Sequence, residues 1–284
     1  MVKQPSDEYD VTASIVAYKT NHAELEQVVR CCRASSLRVE MLVVDNSPSD
    51  ELASLCSALE AEYIHTVKNV GFGTAHNIAF NNSSFSKYHL VLNSDVQFEH
   101  GILEKLVAFL ELNESVGLVM PRVLYPDGSP QKLCKRLPTP FDILARRLLP
   151  TSLGRVFQSQ VNAFELSDMD MSEVLSVPYL SGCFMLLRKK ALQDVGMFDE
   201  RYFMYFEDLD LTRRIHQRYD TVYYPRETII HRHEKGSYKS TKLLFCGIHS
   251  AIQYFNKWGW LWDRERGRIN RAIGPRGNLA LPNC

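Results

Sequence analysis

Val39-Glu40-Met41-Leu42-Val43-Val44-Asp45-Asn46-Ser47-Pro48 is the stretch on which the fold turns. A nearly continuous apolar run of this length reads as a strand covered on both faces. It ends at Asp45-Asn46-Ser47-Pro48, a turn that carries its own helix N-cap residues. Upstream, Thr12 to Tyr18 is another short apolar, β-branched run, and Glu24 to Ser35 places Leu25, Val28 and Val29 at helical spacing. Downstream, Asp50 to Glu60 reads as a helix, Tyr63 to Thr66 as a strand and Thr74 to Asn81 as a helix. His89 to Leu92 is again a strand, Gly101 to Leu112 an amphipathic helix and Gly117 to Met120 a strand. This alternation implies an α/β domain with a mostly parallel sheet and helices on both faces. Ligands of such sheets bind beyond the carboxyl ends of the strands. Ala17-Tyr18, Asp45, Lys68 to Gly73 and Asn93 to Asp95 all follow strands, so they share the expected site edge.

Beyond Pro121 the pattern weakens. Tyr125 to Gly128 reads as a hairpin tip, and Gln131 to Arg155 carries a net charge of +5. Glu165 to Glu173 carries −4, and residues 156–176 read as a loop. Pro178 to Leu187 reads as a strand, Glu207 to Tyr219 as a helix, and Thr221 to Tyr224 and Thr228 to His231 as short strands. Lys242 to Phe255 is an amphipathic helix, and the tail from Arg264 is read as frayed. The whole chain has 284 residues and a net charge of +0, which argues against a general nucleic-acid binder or a nuclease. Its 7 cysteines show no C-x-x-C spacing and read as reduced thiols, without a zinc site, in a cytoplasmic protein. No signal peptide or transmembrane run is expected.

Four stretches could carry chemistry. Asn69-Val-Gly71-Phe-Gly73-Thr-Ala-His76-Asn77 joins a strand to a helix through two glycines, so it is either an ordinary tight turn or an anion-binding one. Its glycine pattern and position do not fit a dinucleotide fingerprint, which argues against a dehydrogenase. Asn93-Ser94-Asp95 is either a cap or a site for a hard divalent cation. Phe198 to Arg214 crowds Glu207, Asp208 and Asp210 at a helix start, where like charges raise a pKa toward that of a general base. His231 to Ser237 follows a short strand with a histidine suited to a metal or a phosphate.

Together and in this order the motifs resemble the family-2 glycosyltransferases with the GT-A fold, and within them the bacterial rhamnosyltransferases that build cell-surface polysaccharides. Those enzymes show a D-N-S turn, N-x-G-F-(G/A)-x-(A/G)-x-N, L-N-(P/S)-D, F-D-E-x-(F/Y)-F-x-Y-x-E-D-x-D-L and a downstream His. Here these are Asp45 to Ser47, Asn69 to Asn77, Leu92 to Asp95, Phe198 to Leu211 and His231. The resemblance implies a tail (1–10), a transferase domain (11–240) and a C-terminal amphipathic helix with a basic tail (241–284). Within the domain, 11–121 would be the donor half and 122–240 the acceptor half.

The roles it implies follow position by position. Ala17 and Tyr18 line the nucleobase pocket and Asp45 accepts from the base. Lys68, Asn69 and Gly71 lie along the nucleotide, Asn77 shapes its pocket, and Asn93 and Ser94 join the donor site. Asp95 binds Mg2+ or Mn2+ on the diphosphate, and His231 contacts metal or diphosphate, with His233 as substitute if the alignment slips. Asp208 takes the acceptor proton beside Glu207. Asn93 stands where most members carry the first Asp of D-x-D, so metal affinity should be weaker.

The implied reaction is an inverting transfer from dTDP-L-rhamnose to a growing or polyprenyl-diphosphate-linked saccharide. A UDP-hexose donor and a catalytically silent binding module are the alternatives. Arg136, Arg146 and Arg147 of the +5 segment are expected at the acceptor. Tyr254, Phe255, Trp258, Trp260 and Trp262 beside the arginines from Arg264 are expected either at the inner membrane surface or in a packed C-terminal helix.

Overall fold

The computed structural model describes residues 9–148, 151–232, 241–277 and 279–282, with backbone only at 146–148 and 151–157. Val11–Ala17 (β1) leads through His22–Arg33 (α1) to Val39–Asp45 (β2), and the two strands pair in parallel from Val11↔Val39 to Ala17↔Asp45. Ala53–Ala58 (α2), Glu62–His65 (β3), Phe72–Asn82 (α3) and Tyr88–Leu92 (β4) continue the alternation. β3 joins β2 and β4 joins β1, both in parallel. Leu42 and Val44 meet Ala75 and Ala79 of α3, while Met41 and Val43 enter the main core on the other face. That period of two inside an apolar run is why β2 is buried throughout.

Val96–Gln97 (β5), Ile102–Leu112 (α4) and Val116–Leu124 (β6) come next, followed by Pro140–Leu148 (α5), Thr151–Phe164 (α6) and Leu175–Ser176 (β7). The chain then forms Phe184–Arg188 (β8), Lys189–Val195 (α7), Glu207–His216 (α8), Asp220–His231 (β9), Thr241–Trp258 (α9), Arg264–Arg271 (α10) and Gly274–Pro275 (β10). The sheet order is β10-β7-β9-β6-β8-β4-β1-β2-β3. β8 is antiparallel to both β4 and β6, and β9 is parallel to β6. β5, β7 and β8 are reversed, and β1, β2, β3, β4, β6 and β9 point the same way, so their carboxyl ends open on one edge.

Several expectations change. The loop read over 156–176 begins inside α6; Gly154 and the Thr, Ser, Val, Phe and Asn residues around it are weak helix formers and hid the helix. The two strands ending at His231 are a single β9, because Pro225 to Glu227 bulge out where the β6 register shifts. Only Phe184–Arg188 of the run Pro178 to Leu187 is strand. The tail from Arg264 is not frayed: α10 is capped by Asp263, whose side chain accepts from Arg266 N. Ile269 enters a second core with Leu137, Tyr202, Leu209, Tyr254 and Phe255. The described cysteines are free thiols.

Under α3 runs a buried polar chain. Ser14 Oγ lies 2.7 Å from His76 Nδ1 and 2.9 Å from His89 Nε2, and Thr12 Oγ1 lies 2.8 Å from His89 Nδ1. Burial lowers His76 from 6.5 to about 3 and holds His89 well below its ordinary value. Burial also lowers His216 to about 4. These rings are neutral in the folded state and ionise in the unfolded chain below 6.5. The stability they permit is complete above that value and is lost as pH falls toward the folded values. Urea unfolding should therefore show stability dropping by about 1.4 kcal/mol per pH unit for each ring below about pH 6. His76→Asn should flatten the slope, and an unchanged slope would exclude His76 from the acid transition.

Candidate active site

The common strand edge opens into a cleft of about 620 Å³. Tyr18 to Asn21 and Glu24 form one side, Asn93 to Asp95 and His231 the floor, and Ser181 to Cys183 with Tyr205, Glu207 and Asp208 the far wall. Seven residues singled out from the sequence thus meet in one space: Tyr18, Asn93, Ser94, Asp95, Glu207, Asp208 and His231.

Asp95 and His231 are brought together by backbone pairing. β5 runs antiparallel to the end of β9 with Val96 opposite His231, and Arg232 N donates to Asp95 O at 3.1 Å. Asp95 Oδ1 and Asn93 Nδ2 each lie 3.3 Å from His231 Nε2. Gln131 sets the tautomer. Its Nε2 donates to His231 O at 2.6 Å and its Oε1 lies 2.9 Å from His231 Nδ1. Nδ1 therefore donates to Gln131, which turns Nε2 toward Asp95, Asn93 and the cleft. A carboxylate oxygen beside an imidazole nitrogen is a donor pair that suits Mn2+ or Mg2+. Among the described residues no third His, Cys, Asp or Glu completes a protein-only cluster.

The three carboxylates of α8 separate into two jobs. Asp210 is fully buried and accepts from Arg214 Nε at 2.8 Å, Lys257 Nζ at 2.9 Å and Trp258 Nε1 at 2.7 Å, so it ties α8 to α9. Asp208 faces the cleft, with Oδ2 accepting from Gly182 N at 3.0 Å and Oδ1 from Leu209 N at 2.8 Å. Burial raises its pKa against those two N–H groups and the charge of Lys135. Burial, and then the charge of Asp208, push Glu207 well above its ordinary value, and Glu207 Oε2 has no hydrogen-bond partner. Two N–H donors favour negative charge on Asp208, whereas Glu207 Oε2 has none, so Asp208 is the better placed of the two to carry the carboxylate. Tyr205 and Phe206, immediately before the pair, both adopt left-handed backbone at φ 68° and 69°. Such strain clusters at functional sites and persists only where packing enforces it; here the Phe206 ring lies 5.5 Å from that of Tyr254.

The other donor-side residues lie off the cleft wall. Asp45 is fully buried, with Oδ1 accepting from Ser47 N at 2.8 Å and Oδ2 from Tyr63 OH at 2.9 Å. Ala17 is buried at the end of β1, and Lys68 is exposed beyond β3. Asn69 Oδ1 accepts from Gly71 N and shapes the turn. Gly71 has φ +95°, and an added Cβ would fall 2.4 Å from Phe203 O, so glycine lets this turn touch the loop before α8. Asn77 holds the same loop, donating to Phe198 O at 2.9 Å and accepting from Phe198 N at 3.0 Å.

On the acceptor side Arg136 is held in an ion pair. Its guanidinium donates to Asp168 at 2.5 Å, and Lys132 pairs with Glu165, so the +5 and −4 stretches neutralise each other there. Among the described residues of that segment, Lys135 is buried with its ammonium 4.9 Å from the Tyr179 ring centroid, and its charge acts on Asp208. Arg146 and Arg147 lie on α5, with side chains outside the described set, and His233 lies outside the described residues. Gly182, Gln131 and Lys135 were missed; no local pattern marks a residue whose role comes from a distant contact.

A profile of glycosyl transferase family 2 matches residues 13–196. The chain is 28% identical over 265 residues to the N-acetylglucosaminyl-diphospho-decaprenol L-rhamnosyltransferase of Mycobacterium tuberculosis, covering 87% of this chain and 83% of that one. It is 24% identical over 260 residues to the rhamnosyltransferase WbbL of Escherichia coli, covering 88% and 95%. The crystal structure of GalNAc-T7 with UDP, GalNAc and Mn2+ aligns with a TM-score of 0.61 at 14% identity, over 80% of this chain and 44% of that one. That likeness speaks to the fold alone.

Proposed function

The chain belongs to glycosyl transferase family 2 and is a glycosyltransferase of the GT-A fold, and from that premise we propose that it moves L-rhamnose from dTDP-L-rhamnose onto a hydroxyl of a lipid-linked or growing saccharide. The observation that carries the reading is one cleft holding Asp95 and His231 on its floor and Glu207 and Asp208 on its wall. The choice of sugar leans on the similarity to two rhamnosyltransferases, and the acceptor class on the mycobacterial relative, whose name gives a diphospho-decaprenol acceptor. No helix among the described residues is long and apolar enough to cross a membrane, and a lipid-linked acceptor would be met at the cytoplasmic face.

Asp95 and His231 would hold Mg2+ or Mn2+, which when bound would offset the charge developing on the leaving diphosphate. Tyr18, Asn93 and Ser94 line the cleft beside them and would contact the donor. Ala17, Asp45, Lys68, Asn69, Gly71 and Asn77 would define the nucleotide side from behind that surface. Asp208 accepts the proton of the acceptor hydroxyl as it attacks the anomeric carbon from the face opposite the diphosphate, so the product is inverted. Glu207, whose uncharged form is favoured by burial and by its neighbour, adds no second charge to the acceptor wall.

Thermal shift with dTDP, UDP and GDP, each with Mn2+ or EDTA, tests the reading alongside transfer assays. Stabilisation by dTDP that needs the cation, with turnover of dTDP-L-rhamnose, is expected. Preferential stabilisation by UDP would reassign the donor to a UDP-hexose. Nucleotide binding without turnover across a broad acceptor panel would leave a silent binding module.

A further inference from the structure

α9 carries two adjoining apolar stripes, and among the described residues only one is covered. Tyr254 and Phe255 enter the second core with Leu137, Tyr202 and Ile269; Tyr254 is wholly enclosed, and Phe255 also forms the floor of a groove beside α5. Trp258 is held there too, its ring centroid 4.0 Å from the Arg213 guanidinium. About a third of a turn of the helix away, Phe245, Ile248 and Ile252 recur at three- and four-residue spacing and are exposed. An apolar groove of about 200 Å³ runs between this stripe and α5, lined by Ile143, Leu144, Ile248, Ile252, Trp260 and Phe206. The turn at its end projects Leu261 and Trp262, 80% and 91% exposed. Arg264, Arg268 and Arg271 then fall on one face of α10 and are exposed, in a chain whose net charge is +0.

We infer that this surface, the outer face of α9 with the groove, the Leu261-Trp262 turn and the α10 arginine row, docks on an anionic lipid bilayer. Apolar side chains beside exposed tryptophan and a row of arginines complement the two layers of a membrane surface, acyl chains and anionic headgroups. Phe206 lines the groove while its neighbours Tyr205 and Glu207 line the cleft, so one backbone turn separates the docked surface from the acceptor wall. The inference deepens the lipid-linked acceptor reading and rests on it for its purpose, but lipid binding itself needs neither donor nor acceptor.

The test is co-sedimentation of the full chain with vesicles of phosphatidylcholine and phosphatidylglycerol in equal parts, and with phosphatidylcholine alone. Binding to the anionic vesicles, weakening as salt is added, is expected. The variant Phe245→Ser/Leu261→Ser/Trp262→Ser should lose affinity by at least about tenfold, since each of these side chains leaves water on docking. These positions are exposed, and an unchanged circular dichroism spectrum checks the fold. Transfer to a short, water-soluble acceptor should be the same in the variant and the wild type. Absence of vesicle binding at low salt, or wild-type binding by the variant, overturns the inference without touching the transferase reading. Equal binding to neutral vesicles removes the arginine row from it. A dimer that dissolves in the variant, with no vesicle binding, would assign the face to a second copy of this chain instead.

Discussion

Asp208→Asn should lower kcat by about 10²–10⁴ while donor nucleotide affinity stays near that of the wild type, because the proton Asp208 accepts moves only during the reaction. The amide has nearly the same size but offers one acceptor where the carboxylate takes Gly182 N and Leu209 N on separate oxygens. One N–H then loses its partner, so a stability loss of about 1–3 kcal/mol should accompany the rate effect. Asp95→Ala should fail differently, weakening cation-dependent nucleotide binding and turnover together. Calorimetric titration of nucleotide with Mn2+ beside a transfer assay reads both halves. Loss of nucleotide binding in Asp208→Asn with retention in Asp95→Ala would exchange the two assignments. Glu207→Gln should stay within about tenfold of wild type, since burial and the neighbouring Asp208 favour the uncharged carboxyl that the amide replaces. The acid limb of the kcat profile should lie above the ordinary Asp value of 3.8, because burial raises Asp208. A limb at or below that value would move the base elsewhere, and Asp210, bound by Arg214, Lys257 and Trp258, is not a candidate to replace it.

Arg213→Met should cost about 3–5 kcal/mol of stability, the usual penalty for stranding one charge of a buried pair. Arg213 and Asp263 are 1% and 4% exposed and share two hydrogen bonds of 2.8 Å. Arg213 also donates to Tyr254 OH at 3.0 Å. Asp263 caps α10, so this pair fastens α8, α9 and α10 to one another. The double change Arg213→Met/Asp263→Asn should recover much of the loss, because neither charge is then buried alone. Urea unfolding of the singles and the double gives the coupling. Losses that simply add would mean the pair does not act as a unit.

The parallel sheet was legible because its signal is local. β2 reads as a strand from its own apolar run, and the turns at Asp45 and Asn93 follow from the residues that end β2 and β4. α6 was not legible, since its own propensity is weak and neighbouring elements stabilise it. The acidic start of α8 could be read as crowded charge, but not divided. Asp208 and Asp210 differ only in which way the helix turns each one, and Lys257 and Trp258, far along the chain, decide that Asp210 is structural.

The same holds for the basic segment. Charge counting marked Gln131 to Arg155 as a unit, yet Asp168 takes Arg136 while the fold turns Lys135 toward Asp208. By itself, then, the sequence determined the strand–helix order and the sheet edge on which Asp95, Glu207, Asp208 and His231 meet. Periodicity, caps and turn residues act over a few positions and can be read there. Only the tertiary structure decided the tautomer of His231 through Gln131, which of Glu207 and Asp208 is better placed to carry the carboxylate, and which aromatics of α9 are core. Each of these depends on what lies across the molecule, and solvent exclusion and long-range pairing are not properties of any local stretch of chain.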